Sequence, residues 1–280
     1  MTKSLSSPAR WLRQEAPTSL KIGLAVTLLW VLAAALAPVL SSFDPIAIDA
    51  ANAVLPPSAD HFLGTDSVGR DILARILYGA RIDLLMAVAG VIGPFILGTA
   101  IGLLAGYSGG WIDAVLMRIV EVTISFPYFV LVIAIVSIMG PGLTSYIVSL
   151  TVVNWVTYAR LVRSETLVLA NADFILAARV LGFRGRRIMF RHIFPNAIVP
   201  SSVFLMTDAV LTIVLGSSLG FLGLGVQPPT PEWGVMIAEG RTYLGTAWWI
   251  SLCPGLALCS LAFGLSLIAD GVAQILDPEA

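Results

Sequence analysis

Charge is scarce in this 280-residue chain: only 12% of residues are Asp, Glu, Lys or Arg, against 58% hydrophobic, and the mean hydropathy is +0.92. So little charge excludes a soluble domain of ordinary surface and predicts a chain that crosses a membrane several times. Lysine occurs only at Lys3 and Lys21, and no G-x-x-x-x-G-K-[ST] stretch is present, which excludes a phosphate-cradling loop on this chain. The two histidines, His61 and His192, fall on opposite sides of the membrane in the topology below, which excludes a shared metal site or proton relay. The two cysteines, Cys253 and Cys259, lie in one apolar run and read as small buried thiols. No catalytic residue, cofactor site, metal site or nucleic-acid-binding patch is expected.

What is present is a set of apolar runs long enough to cross about 30 Å of hydrocarbon. They lie near Lys21 to Ser41, Ile82 to Tyr107, Ala114 to Met139, Tyr146 to Val168, Asn196 to Leu219 and Ala247 to Ile275. The expected fold is an all-α membrane protein of six transmembrane helices. Its parts are an N-terminal segment 1–20, a first helix 21–41 retained rather than cleaved, an outer segment 42–81, a five-helix core 82–275 and a tail 276–280. Pro94, Pro127, Pro200 and Pro254 fall inside spans and predict kinks rather than breaks.

The sixteen cations fix the orientation. With a cytoplasmic N-terminus the inside receives Lys3, Arg10, Arg13, Lys21, Arg118, Arg160, Arg163 and the arginines at 179, 184, 186, 187 and 191, while the outside receives Arg70, Arg75, Arg81 and Arg241. This bias places both termini in the cytoplasm. Trp248 and Trp249 open the sixth span where an aromatic belt would lie. Gly98, Gly102 and Gly106 recur every four residues in the second span, a small-residue face that suits packing within the bundle or against another subunit. Asp208 is the one acid expected well inside a span, as a polar point on a pathway or as a side chain satisfied by a neighbouring helix.

Between the fourth and fifth spans, the loop 165–195 contains "LAARVLGFRGRRIMFRHIFP". Asn171 or Asp173 is placed to cap a short helix with Phe174, Ala178 and Leu181 on one face, ended by Gly182. A second short helix begins near Gly185, with Arg184, Arg187 and Arg191 on one side. Basic residues alone would serve topology or lipid headgroups; a helix, a glycine turn and a basic helix together also make a projection suited to a protein groove.

At these residues the chain resembles the permease subunits of bacterial ABC importers, whose cytoplasmic loop reads E-A-A, three residues, G, nine residues, I-x-L-P. Ala177, Ala178, Gly182 and Pro195 are in register; Leu176 replaces the Glu, His192 the first Ile and Phe194 the Leu. The stretches "FLGTDSVGRDILARILYGARIDLL", "GYSGGWIDAVLMR", "FRHIFPN" and "SLGFLGLGVQPPTPEWGVMIAEGR" resemble more narrowly the second membrane subunit of dipeptide and oligopeptide permeases, apart from Asp83, where that branch more often has Ser.

The resemblance implies a type I importer fold in the bacterial inner membrane and an ATP-driven import of peptides by alternating access. It implies a second homologous permease subunit, two ATPase subunits or one two-domain ATPase carrying the ATP and Mg, and an extracytoplasmic solute-binding protein. Close relatives imply nickel chelates or glutathione as other cargoes. By carry-over, Ala177, Ala178, Gly182, Arg184, Arg187, Arg191, His192 and Pro195 belong to the ATPase-coupling segment. Thr65 to Asp71 and "GLGVQPPTPEWG" would face the binding protein or the outer mouth. A reading of another class, an ion-coupled transporter acting alone, would require more intramembrane acids or an internal repeat.

Overall fold

The longest helix sets the frame of the computed structural model, which describes residues 17–276. After α1 (Thr18–Ala35), α2 runs Ile72–Ser108, and 37 residues rise roughly 55 Å, more than a bilayer core requires. Its first turns, which carry Arg75 and Arg81, therefore project beyond the apolar run that begins at Ile82. Asp71 starts it by accepting from the Ala74 amide at 2.7 Å. The helix passes through Pro94 without interruption, as α10 (Trp249–Leu276) passes Pro254, whereas Pro200 sits in the first turn of α8 (Val199–Phe221), where a missing N–H costs nothing.

Pro127 behaves differently from the expected kink. The third span is broken into α3 (Gly110–Ile124) and α4 (Tyr128–Met139), whose axes differ by 88°. Proline at the head of α4 has no amide to give and forces the preceding Phe126 out of helical geometry, so the chain restarts in a new direction.

Four of the described helices, α1, α2, α8 and α10, are long and apolar enough to cross a membrane, and α3 and α4 taken together as one bent span make a fifth by length and composition. A sixth, α5 (Leu143–Ala170), has the length but carries Asn154, Arg160, Arg163 and Glu165. With it the count matches the six-helix expectation. The most extensive helix pair is α2 with α5, followed by α1 with α10. Lys3, Arg10, Arg13 and residues 277–280 lie outside the described residues.

The α2–α5 contact follows from the glycines. A Cβ on Gly98 would collide with the Trp155 carbonyl, one on Gly102 with the Ala159 carbonyl, and one on Gly106 would lie 2.8 Å from Thr166 Cβ. Three successive turns of α2 thus press onto α5 through backbone, the close approach that small residues allow where lipid supplies no hydrophobic drive. The glycine face is consumed within this chain. Neither cysteine is buried as expected: Cys253 is half-buried, Cys259 is exposed, and both are free thiols. Of the tryptophan pair, only Trp248 faces outward; Trp249 is buried and donates to the Thr65 carbonyl at 3.3 Å.

Candidate coupling surface and translocation cleft

The projecting loop begins with α6 (Asp173–Val180) and continues in α7 (Gly185–Ile188), which runs through a π-helical turn, Met189–Ile193, into Phe194–Ala197 and α8. Neither Asn171 nor Asp173 caps α6. The N-cap is Ala172, with no side-chain bond, and Asn171 turns back to the Leu167 carbonyl at 2.9 Å. The expected stop at Gly182 is present: its φ is +78°, the Gly182 amide donates to Arg179 and the Phe183 amide to Ala178. That left-handed residue needs no side chain, and glycine supplies it.

The faces of α6 differ from the expectation. Ile175 and Ala178 turn inward onto Ile188, Ile193, Ala197 and Leu103, while Phe174, Leu176, Ala177, Val180 and Leu181 stand exposed. An eight-residue helix has one narrow inward stripe, and tertiary packing assigned it to Ile175 and Ala178 instead of Phe174. Arg184, Arg187 and Arg191 are all exposed, Arg187 lying 4.7 Å from the centroid of the Phe183 ring, and His192 stacks on the same Phe183 ring with centroids 6.1 Å apart. Pro195 starts the last short helical piece. Structure therefore brings Phe183, Arg187 and His192 together, leaves Arg184 and Arg191 outward, and withdraws Ala178 from the surface.

Above this loop, Asp208 on α8 is buried against α5. Asn154 Nδ2 donates to its Oδ2 at 2.6 Å and the Tyr158 hydroxyl donates to the same atom at 2.8 Å. Beside them lies a cavity of about 430 Å³ lined by Tyr128, Asn154, Thr157, Phe204 and Asp208. A second cavity of about 350 Å³ shares Tyr128, Asn154 and Thr157 and continues past the broken span, Thr123 to Pro127, to Arg160. Both exist because α4 departs at Pro127. At the same end of α5, Arg163 holds Asp113 at 2.5 and 2.6 Å, tying α5 to α3.

On the other side of the bundle, the polar residues of "GTDSVGRD" are spent internally. Asp66 Oδ2 accepts from Arg70 Nε at 2.6 Å, and Arg70 and Arg75 both reach Glu239 Oε2, at 2.9 and 3.0 Å. Glu239 lies on α9 (Trp233–Gly240), so this network joins the start of α2 to α9. His61 Nδ1 meets Asp71 Oδ2 at 2.9 Å. Thr65, Asp66, Arg70 and Asp71 are buried. They shape the segment that leads into α2 and present little side-chain surface.

Glu232 caps α9, accepting from the Gly234 and Val235 amides at 2.7 and 2.9 Å. The Trp233 amide, next to these, donates to Asp83 of α2 at 3.3 Å. Burial pushes the Glu232 carboxyl above its ordinary range, against the opposing pull of those two amides. Asp208 is thus not the lone acid buried among the helices: Asp83 is fully buried as well. The stretch Gly216-Ser217-Ser218-Leu219-Gly220 has the letter pattern of a hydrolase nucleophile elbow, but it is helical here and Ser218 Oγ donates to the Val214 carbonyl at 2.7 Å.

Residues 98–280 match the family described as binding-protein-dependent transport system inner membrane component. The chain belongs to that family. A dipeptide transport system permease protein of Alkalihalophilus pseudofirmus is 40% identical over 258 residues, covering 92% of this chain and 85% of that one. A glutathione transport system permease protein of Pectobacterium atrosepticum is 42% identical over 223 residues, covering 80% and 74%. A probable D,D-dipeptide transport system permease protein of Escherichia coli K12 is 35% identical, covering 96% and 90%. In fold, the chain is similar to the MetNI methionine ABC transporter in an inward-facing conformation, with a TM-score of 0.58 at 18% identity, over 72% of this chain and 96% of that one.

The permease is a membrane-embedded transport component with the type I ABC importer fold. In its sequence Arg160 counts only as a cytoplasmic cation, and Tyr128 and Thr157 are not singled out. The signal for Thr157 and Arg160 was the spacing Asn154, Thr157, Arg160 along one face of α5, which reads as an ordinary half-polar helix until the break at Pro127 opens the space beside it.

Proposed function

We propose that this permease is one of two homologous membrane subunits of an ATP-driven importer of short peptides, working with separate ATPase subunits and an extracytoplasmic solute-binding protein. The relatives named for dipeptide transport support the cargo. Both termini then face the cytoplasm, as the arginine bias requires. One observation carries the reading: α6 and α7, joined through Gly182, form a short projection with Phe174, Leu176, Ala177, Val180 and Leu181 exposed together. Such an apolar helical face beside exposed arginines suits the groove of a partner that moves on nucleotide binding. Ala177 and Leu181 make the contact, Gly182 sets the turn, Arg184, Arg187 and Arg191 flank it, and Ala178, His192 and Pro195 hold the loop in shape. Asp208 lies on the translocation pathway.

The test is Ala177→Asp in the assembled importer. Because Ala177 is exposed, the change leaves the fold intact; we expect the ATPase subunits to dissociate and ATP-dependent dipeptide uptake to vanish, with the subunit still in the membrane. Full uptake by the variant would remove the loop from the coupling role.

A further inference from the structure

Two opposite charges line the joined cavities without a charged protein partner. Both hydrogen bonds to Asp208 end on Oδ2, which leaves Oδ1 with no hydrogen bond among the described residues, and Asp208 lines the first cavity. At the other end, Arg160 is exposed to the second cavity and forms no ion pair among the described residues. A carboxylate inside a membrane bundle is costly unless something neutralises it. Between the two charges, Tyr128, Asn154 and Thr157 line both cavities, and the Tyr128 and Thr157 hydroxyls make no protein hydrogen bond among the described residues. Phe204, Leu211, Val153 and Val156 supply apolar wall, while Ser218 and Thr123 add a hydroxyl to the first and the second cavity respectively.

We propose that this cleft binds a short peptide as a zwitterion, with its ammonium on Asp208 and its terminal carboxylate on Arg160. The dimensions agree. From Asn154, which marks the level of Asp208, to Arg160 the helix rises roughly 9 Å. An extended chain covers about 3.3–3.6 Å per residue, so the charged ends of a dipeptide or tripeptide fall at that separation. Tyr128, Asn154 and Thr157 then face the peptide bond, where hydroxyl and amide groups can both donate and accept without reading side chains. Each cavity lies in the size range of small-molecule sites, about 300–1,000 Å³. The apolar stretches of wall, Phe204, Leu211, Val153 and Val156, take the side chains. The arrangement distinguishes free termini from blocked ones. It rests on the peptide-import reading above and adds the part of the peptide that this subunit recognises.

The experiment uses the complete permease–ATPase complex in nanodiscs without binding protein, measuring equilibrium binding of dialanine, N-acetyl-dialanine and dialanine amide to wild type, Asp208→Asn and Arg160→Gln. An asparagine at 208 still accepts from Asn154 and Tyr158, so the packing survives. We expect Asp208→Asn to weaken dialanine and dialanine amide about tenfold or more and to leave the acetylated peptide, which has no ammonium, unchanged. Arg160→Gln should weaken dialanine and the acetylated peptide and leave the amide unchanged. Equal weakening of all three peptides would mark a structural role and overturn the proposal, as would wild-type affinity in both variants or no binding by wild type. ATP-dependent dialanine uptake by the same complex in proteoliposomes, with binding protein, is read separately: its presence keeps the import reading when the cleft fails, and its absence removes that reading itself.

Discussion

Asp83 and Glu232, 149 positions apart in the chain, serve adjacent amides at the start of one helix: Trp233 donates to Asp83, Gly234 and Val235 to Glu232. Asp83 Oδ1 is buried and has no hydrogen-bond partner among the described residues. Because Glu232 keeps its proton in the folded state to higher pH than in the unfolded chain, the pair costs stability as pH rises through and above the ordinary carboxylate range of about 4. Asp83→Ser removes one charge and the unpartnered oxygen. We expect a gain of about 1–3 kcal/mol at neutral pH that fades as the medium is made acidic, read by thermal unfolding of the purified subunit across pH. A pH-independent change would show that the two carboxylates do not interact.

Gly102 lies against the Ala159 backbone, so Gly102→Leu forces α2 and α5 apart. The expected cost is about 1–3 kcal/mol or more, with a lower unfolding temperature in detergent. Gly102→Ala should cost less, since its single methyl can be met by a smaller shift of α5.

Glu239 receives both Arg70 and Arg75. In Glu239→Gln the two guanidiniums keep Asp66 as their only carboxylate among the described residues, with the Pro45 carbonyl on Arg75, and the segment before α2 loosens from α9. We expect faster proteolysis within residues 43–66 while the membrane helices stay protected, by mass spectrometry of timed digests. Equal digestion rates would show that the Asp66 contacts suffice.

Gly182 carries φ +78° with open space around it, so strain rather than a clash limits substitution there. Asparagine tolerates that region and a β-branched residue does not. Gly182→Asn should retain uptake, and Gly182→Val should lose most of it at unchanged membrane level.

Much of this architecture is legible in the sequence. Hydropathy places six crossings, the Gly98-Gly102-Gly106 period announces a close helix contact, and Gly182 announces a turn, because each depends on local periodicity or on one residue's allowed φ. What was not legible depends on partners distant in sequence. Whether Pro127 kinks or breaks a span depends on what packs behind it; which stripe of α6 turns inward depends on Leu103 and Ile193; and the Asp66, Arg70, Arg75 and Glu239 network joins residues up to 173 positions apart. The glycine period could not say whether its partner lay within the chain, and composition could not separate buried Asp83 from a solvated acid.

The central claim is that nucleotide hydrolysis on partner chains drives peptide import through this permease. It is tested most directly by uptake of labelled dialanine into proteoliposomes holding both membrane subunits and the ATPases, with the binding protein outside and ATP within. Accumulation that requires ATP and every component, and that ignores imposed ion gradients, is the expected result. Gradient-driven accumulation by this chain alone, without ATP, would contradict it.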